Sequence, residues 1–185
     1  MREFDVAIVG AVLCGSIAAT MLGRSGRAVA LVDPSRIYPD DFRVEKFDDD
    51  QMRVLRNTGL GEAVLAATTH DRSVSVSMLG RMAEKRISDQ RGFDYGALVN
   101  LLRREIPPSV AQIHAKVTTI ANGADRQRVT LSTGETVEAR LVVLASGLNN
   151  GLREALGIER ADLARCHSIT FGFDMEPAAG ASFPF

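Results

Sequence analysis

The residues with the clearest chemical potential lie near the start of the chain, in DVAIVGAVLCGSIAATMLGRSGRAVALVD. Gly10 and Gly15 bracket Ala11-Val12-Leu13-Cys14. A dinucleotide site between a strand and a helix places glycines here for three physical reasons. The first permits the tight turn, the second lets the pyrophosphate approach the backbone, and the third lets helix and strand pack closely. The free N–H groups and positive dipole of the helix N-terminus then meet the phosphates. Gly10 and Gly15 meet two of these needs, and Val12 holds the middle position. Asp33 closes the next apolar run, about twenty residues on, where a carboxylate accepts hydrogen bonds from a ribose. A carboxylate there disfavours a 2′-phosphate, although Arg36 stands close by in sequence. The competing reading is a glycine turn used only for packing, with Asp33 as a strand-end cap. The order strand, glycine turn, helix, strand favours the nucleotide.

Other reactive residues form no such pattern. Cys14 falls at the helix N-terminus, where the dipole would activate a thiol. A small packing residue is the simpler expectation for it. Cys14 and Cys166 form neither a disulfide framework nor a CxxC pair, and His70, His114 and His167 are scattered. No metal spacing results, and no catalytic side chain is assigned.

The elements that would position these residues follow from pattern. Phe4 to Val9 reads as a buried parallel strand, because Val6-Ala7-Ile8-Val9 is continuously apolar. Gly15 to Arg24 reads as a helix with Ile17, Ala18, Met21 and Leu22 on its buried face and Gly26 at its C-terminus. Ala28 to Val32 is the second strand, completing a right-handed βαβ unit. The charged run Asp40 to Asp50 reads as a solvated loop. Asp48 and Gln51 form a capping box for a helix ending at Asn57, and a short helix follows from Glu62 to Ala67. Val74, Val76 and Met78 alternate with serines, and Leu79-Gly80-Arg81 turns that strand into a partner ending near Ile87. Asp94 caps a helix reaching Ile106, and Pro107-Pro108 stops it. Ala111–Ile120, Arg128–Leu131 and Thr136–Ala139 read as a three-strand meander. Leu141 to Ala145 reads as a separate buried strand ended by Ser146-Gly147, and Ile169 to Met175 as a last strand.

Composition sets the outer limits. The 185 residues carry 22 Lys+Arg against 23 Asp+Glu, for a net charge of −1, with 45% apolar residues. This balance excludes a basic nucleic-acid-binding arm and an acidic disordered tail. The apolar runs are far below the roughly 20 residues that span a bilayer. A cytoplasmic location is the expectation, with no nucleic acid and no membrane span.

Taken together, the βαβ segment with FRVEKFDDDQMRVLRNTGL, FDYGALVNLLRREIP and ARLVVLASGLNNGLREALGI resembles the N-terminal half of an FAD-dependent monooxygenase. The relatives are aromatic hydroxylases of the p-hydroxybenzoate hydroxylase type and their ubiquinone-biosynthesis cousins. The resemblance implies an α/β fold: a Rossmann-like FAD-binding domain with a parallel sheet and a β-meander, plus the start of a substrate-domain sheet. It assigns 1–165 to the FAD-binding domain, with 68–92 contributing to the substrate-side sheet, and 166–185 to the start of the substrate domain.

By position, the resemblance places Gly10, Val12, Cys14 and Gly15 along the pyrophosphate and Asp33 at the adenosine ribose. It sets Arg43 along the phosphate and ribitol, Val117 by its backbone at the adenine, and Ser146-Gly147 where relatives carry Asp-Gly. The implied activity is that of an FAD-dependent oxidoreductase with NAD(P)H as reductant, transferring one oxygen atom to a small organic or aromatic substrate. A non-hydroxylating reductase of related fold is one alternative, and a non-catalytic half-domain needing a partner subunit is another. Val12 is expected to weaken flavin binding, both by bulk and by restricting the backbone. Relatives have roughly twice this length, so the chain is expected to be inactive alone and to form a homo-oligomer or take a partner that supplies the other half.

Overall fold

The computed structural model describes residues 2–41, 43, 46–159, 161, 171 and 176–182. The expected strand Ile169–Met175 lies outside the described residues, apart from Phe171.

The N-terminal βαβ unit forms as its pattern requires. β1 (Arg2–Val9), α1 (Leu13–Arg24) and β2 (Val29–Val32) lead into β6 (Ala111–Ile113) and β9 (Thr136–Leu144), and these four strands pair in parallel in the order β6-β2-β1-β9. β8 (Gln127–Leu131) and β7 (Val117–Ala121) continue the same sheet antiparallel. Ala7, Ile8, Val29, Ala30, Leu31 and Val32 are almost fully buried because both faces of the sheet are covered. One face packs Val6, Ile8, Val29 and Leu31 with Ala11 and Ala19 around α1. The other joins Ala7, Ala30 and Val32 to Val129, Leu131, Val137 and Ala139, so the meander covers the side opposite α1.

Two expected boundaries are corrected here. Ala111–Ile120 is not one strand: β6 joins the parallel sheet beside β2, and the chain leaves it at His114 before β7 begins. Conversely, Thr136–Ala139 and Leu141–Ala145 are not two strands. β9 runs through both, pairing with β8 over its first half and with β1 along its length. Arg140, charged and exposed, breaks the apolar pattern without breaking the backbone pairing.

The face of α1 also differs from expectation. Its buried residues are Gly15, Ser16, Ala19, Thr20 and Gly23. Ile17, Ala18 and Leu22 are only half-buried, and Met21 is exposed. Small side chains let the helix lie close on the sheet, and the larger ones fill the flanks. Gly26 takes a positive φ of 78° and closes the helix, as expected.

A second layer carries the remaining elements. β3 (Lys46–Phe47), β5 (Arg81–Gly92) and β4 (Thr69–Met78) form a separate antiparallel sheet. The capping box at Asp48 and Gln51 starts α2 (Asp49–Asn57), and α3 (Gly61–Ala66) follows. Asp94 accepts from the Ala97 N–H at 2.6 Å and starts α4 (Tyr95–Arg104). Phe47, Met52, Leu55, Leu60, Val64, Phe93, Leu98 and Leu102 form the third apolar cluster, against which Leu13 and Ile17 of α1 also pack. α5 (Gly151–Ala155) follows β9. Among the described residues, no helix is long and apolar enough to cross a membrane.

Candidate functional site

The sheet register builds the site. Val9 pairs with Val32 on one side and Leu144 on the other, so Gly10, Asp33 and Ala145 leave the sheet side by side. β1 leads to β2 on one flank, whereas β9 arrives on the other. Strand order therefore reverses between β1 and β9, the topological switch point where open α/β sheets bind ligands.

Gly10 and Gly15 are required by contact. Gly10 has φ +104°, and a Cβ there would lie 2.5 Å from the Ala145 carbonyl oxygen. A Cβ on Gly15 would fall 1.8 Å from the Gly10 carbonyl oxygen. The turn is thus pressed between β9 and the first turn of α1. Val12 needs no glycine conformation: its φ of −88° and ψ of −161° are extended backbone, open to any residue. The expected backbone restriction is therefore absent.

A cleft of about 500 Å³ opens at the carboxyl ends of these strands. Gly10, Val12, Asp33, Val117 and Ser146 all line it, together with Lys116 and the α5 residues Leu152 and Ala155. Residues far apart in sequence thus meet in one crevice. Gly15 lies behind Gly10 rather than in the lining, and Gly147 is exposed beyond Ser146 with φ +60°. Cys14 is exposed in the first turn of α1, which corrects the expectation of a packing residue.

Asp33 is held from three directions. Its Oδ2 accepts from the Ala11 N–H at 2.8 Å, its Oδ1 accepts from the Ser35 N–H at 2.9 Å, and Arg103 Nη2 lies 3.3 Å from Oδ1. The carboxylate therefore sits against the glycine turn, with an ion-pair partner that sequence reasoning missed. Nothing in the sequence signals Arg103, because a basic residue in the last turn of a helix is ordinary dipole complementation.

Arg43 belongs to a neighbouring cluster. Its Nε donates to Asp41 Oδ2 at 2.5 Å, the same oxygen accepts from the Tyr38 hydroxyl at 2.7 Å, and the guanidinium lies 5.3 Å from the Tyr95 ring centroid. The bonds from Tyr38 and then Arg43 hold the Asp41 carboxyl below its usual pKa. The bond to Asp41 raises that of Arg43. Burial pushes both tyrosine hydroxyls up. Tyr95 packs on the same apolar cluster as Leu13 of α1, and Arg43 is absent from the cleft lining. Asn100 ties the intervening loop to α4, accepting from the Tyr38 N–H and donating to the Tyr38 carbonyl. Tyr38, Tyr95 and Asn100 carry no motif that spacing would reveal.

His70 pairs with Asp89 at 3.2 Å on the second sheet, and His114 is exposed. Cys166 and His167 lie outside the described residues. Among the described residues, no three His, Cys, Asp or Glu side chains cluster as metal ligands would.

The comparison that decides the family covers most of the chain: the model of an FAD binding domain matches residues 3–179. The chain belongs to the FAD binding domain family. This family member is 28% identical over 198 residues to squalene monooxygenase of Rattus norvegicus, covering 97% of this chain and 34% of that protein. It is 24% identical over 178 residues to 3-demethoxyubiquinol 3-hydroxylase of Escherichia coli (strain K12), covering 83% and 44%. The chain thus spans less than half the length of these two relatives. The structure of Pseudomonas aeruginosa PqsL in complex with 2-aminobenzoylacetate shares the fold, with a TM-score of 0.76 at 20% identity over 87% of this chain and 47% of that one.

The residues present fit the family's cofactor. Gly10 and Gly15 let the turn press against β9 and the start of α1, and Gly10, Val12 and Asp33 line the cleft at the carboxyl ends of the strands, where a dinucleotide would be held.

Proposed function

We propose that this chain is the FAD-binding part of an NAD(P)H-dependent monooxygenase acting on a small organic or aromatic substrate. The observation that carries the reading is the single cleft at the switch point, which collects Gly10, Val12, Asp33, Val117 and Ser146. The relatives named as monooxygenase and hydroxylase support the reaction class.

In this reading FAD supplies the redox and oxygen chemistry, and the protein binds and orients it. Gly10 and Gly15 let the α1 N-terminus face the pyrophosphate, with Val12 and Cys14 along its path. The Asp33 carboxylate accepts from the adenosine ribose. Val117 offers backbone to the adenine, and Arg43 balances phosphate charge from the Tyr95 side. Ser146 and Gly147 close the cleft after β9. Residues 1–165 form the cofactor domain. The hairpin within 68–92 and the segment 166–185 belong to the substrate side.

The same reading includes a cytoplasmic location and self-association or a partner. Exposed Met78, Leu79, Met82 and Ile87 on the β4–β5 hairpin favour such contact. FAD titration followed by flavin fluorescence tests the cofactor, and NAD(P)H consumption coupled to product formation tests the expectation that this chain does not turn over alone, which coupled product would overturn. Absence of FAD binding at micromolar concentrations would sink the cofactor assignment. Sedimentation of the purified chain tests association, and a monomer at all concentrations would remove that part.

A further inference from the structure

Arg103 makes contacts that an ordinary helix-end arginine does not. Its side chain is 9% exposed, beside Asp33 at 13%. Nε donates to the Ala11 carbonyl at 2.6 Å, and Nη1 donates to the Ser35 carbonyl at 2.7 Å. Nη2 faces Asp33 Oδ1 at 3.3 Å without a well-aligned acceptor. The Tyr38 ring lies 5.9 Å from the guanidinium carbon.

These bonds interlock with those of Asp33. The carboxylate receives the N–H groups of Ala11 and Ser35, and the guanidinium serves the carbonyls of the same two residues. Ala11 follows Gly10 in the glycine turn, so its peptide groups are fixed on both sides by one buried ion pair. The planar fork of arginine suits this task, whereas the point charge of lysine reaches one carbonyl at a time. The pair also sets a positive charge against the carboxylate at a site meant for a pyrophosphate. Without it, Asp33 would repel the phosphates in a cleft of reduced dielectric.

We infer that Arg103 is a positioning residue for the nucleotide site, locking the Gly10–Ala11 turn and the Asp33 carboxylate into one rigid unit from α4. This rests on the FAD reading for its purpose, but the lock itself is a property of the unliganded chain.

The test uses Arg103→Met, Arg103→Lys, Asp33→Asn and the charge-neutral double variant Asp33→Asn/Arg103→Met in the full chain. The first readout is amide hydrogen exchange without ligand. Arg103→Met should speed exchange at Ala11 and Ser35 at least tenfold while Ile8 and Leu31 in the sheet remain protected, and Arg103→Lys should restore part of the protection. Because Arg103→Met strands a buried carboxylate and can fail to fold, the double variant carries the same test with no charge left over. Unchanged exchange at Ala11 and Ser35 in whichever of these variants folds overturns the inference, whatever FAD does.

The second readout is FAD affinity. Each single variant should bind at least tenfold more weakly than the parent, and the double should be no more than about threefold weaker than the worse single, because the two residues act as one. Fully additive losses would overturn the inference. A parent that binds no FAD refutes the cofactor reading alone, since the exchange data still decide the lock.

Discussion

Replacing Val12 with glycine should tighten FAD binding, and the structure says by roughly how much. Val12 is the N-cap of α1, makes no side-chain capping bond, and lines the cleft. Its backbone is unstrained, so relief of strain contributes nothing. What the side chain would cost is access, by holding a pyrophosphate off the helix N-terminus. One recovered N–H bond to a charged oxygen contributes about 1.5–3 kcal/mol, which corresponds to roughly 10- to 150-fold in affinity. Fold stability should change little. Glycine is far better than valine at an N-cap, but it costs about 0.5–1 kcal/mol in unfolded-state entropy. The assay is FAD titration of the parent, Val12→Ala and Val12→Gly, read by flavin fluorescence, with urea unfolding of each apo protein as a control. If bulk is the obstacle, alanine recovers most of the gain. Equal affinities for all three would refute the steric argument and place the phosphates elsewhere.

Three further outcomes are expected. Gly15→Ala forces a methyl group against the Gly10 carbonyl and should cost about 1–3 kcal/mol or more in urea unfolding; a loss below about 1 kcal/mol would mean the turn can move. Tyr38 and Tyr95 are the two tyrosines of a chain without tryptophan, so alkaline ultraviolet titration sees them alone. Burial raises both hydroxyls in the fold; their stabilisation is complete below the unfolded value near 10 and is lost as pH rises through the folded values, so a midpoint at or below 10 would contradict the packing. Asp48→Ala removes the acceptor for the Gln51 N–H and should lower stability by about 1 kcal/mol; thermal melts that superimpose on the parent's would show that the cap contributes nothing.

Much of the fold was readable because its signals are local. The run VAIVG, the capping box at Asp48 and the Asp94 cap each declare an element within a few residues. The errors arose where pairing overrode local pattern. Ala111–Ile120 looks like one strand, yet β6 and β7 pair with different neighbours, β2 and β8. β9 looks like two strands, yet one backbone serves both. At the site, Gly10, Gly15 and Asp33 were legible because the βα turn fixes their spacing. Arg103 was not, because its partners at Ala11, Asp33 and Ser35 lie on a different supersecondary unit.

The junction of Gly10 with Ala145 also bears on how the chain reaches this state. The Ala145 N–H donates to the Val9 carbonyl at 2.8 Å, so the first strand completes its pairing with one of the last. Closing so long a loop must precede any reward from the contact, which makes such pairings slow. The helical layer closes shorter loops, α2 against α3 and α4 against α3 and α1, than the pairing of Val9 with Ala145. Pulse-labelling during refolding should find α4 amides protected before that of Ala145; simultaneous protection would argue against this order. During synthesis, β1 and α1 must wait with one sheet edge uncovered until β9 has left the ribosome. The cleft at the switch point is therefore among the last parts of the domain to exist, and no nucleotide can help the earlier steps by binding there.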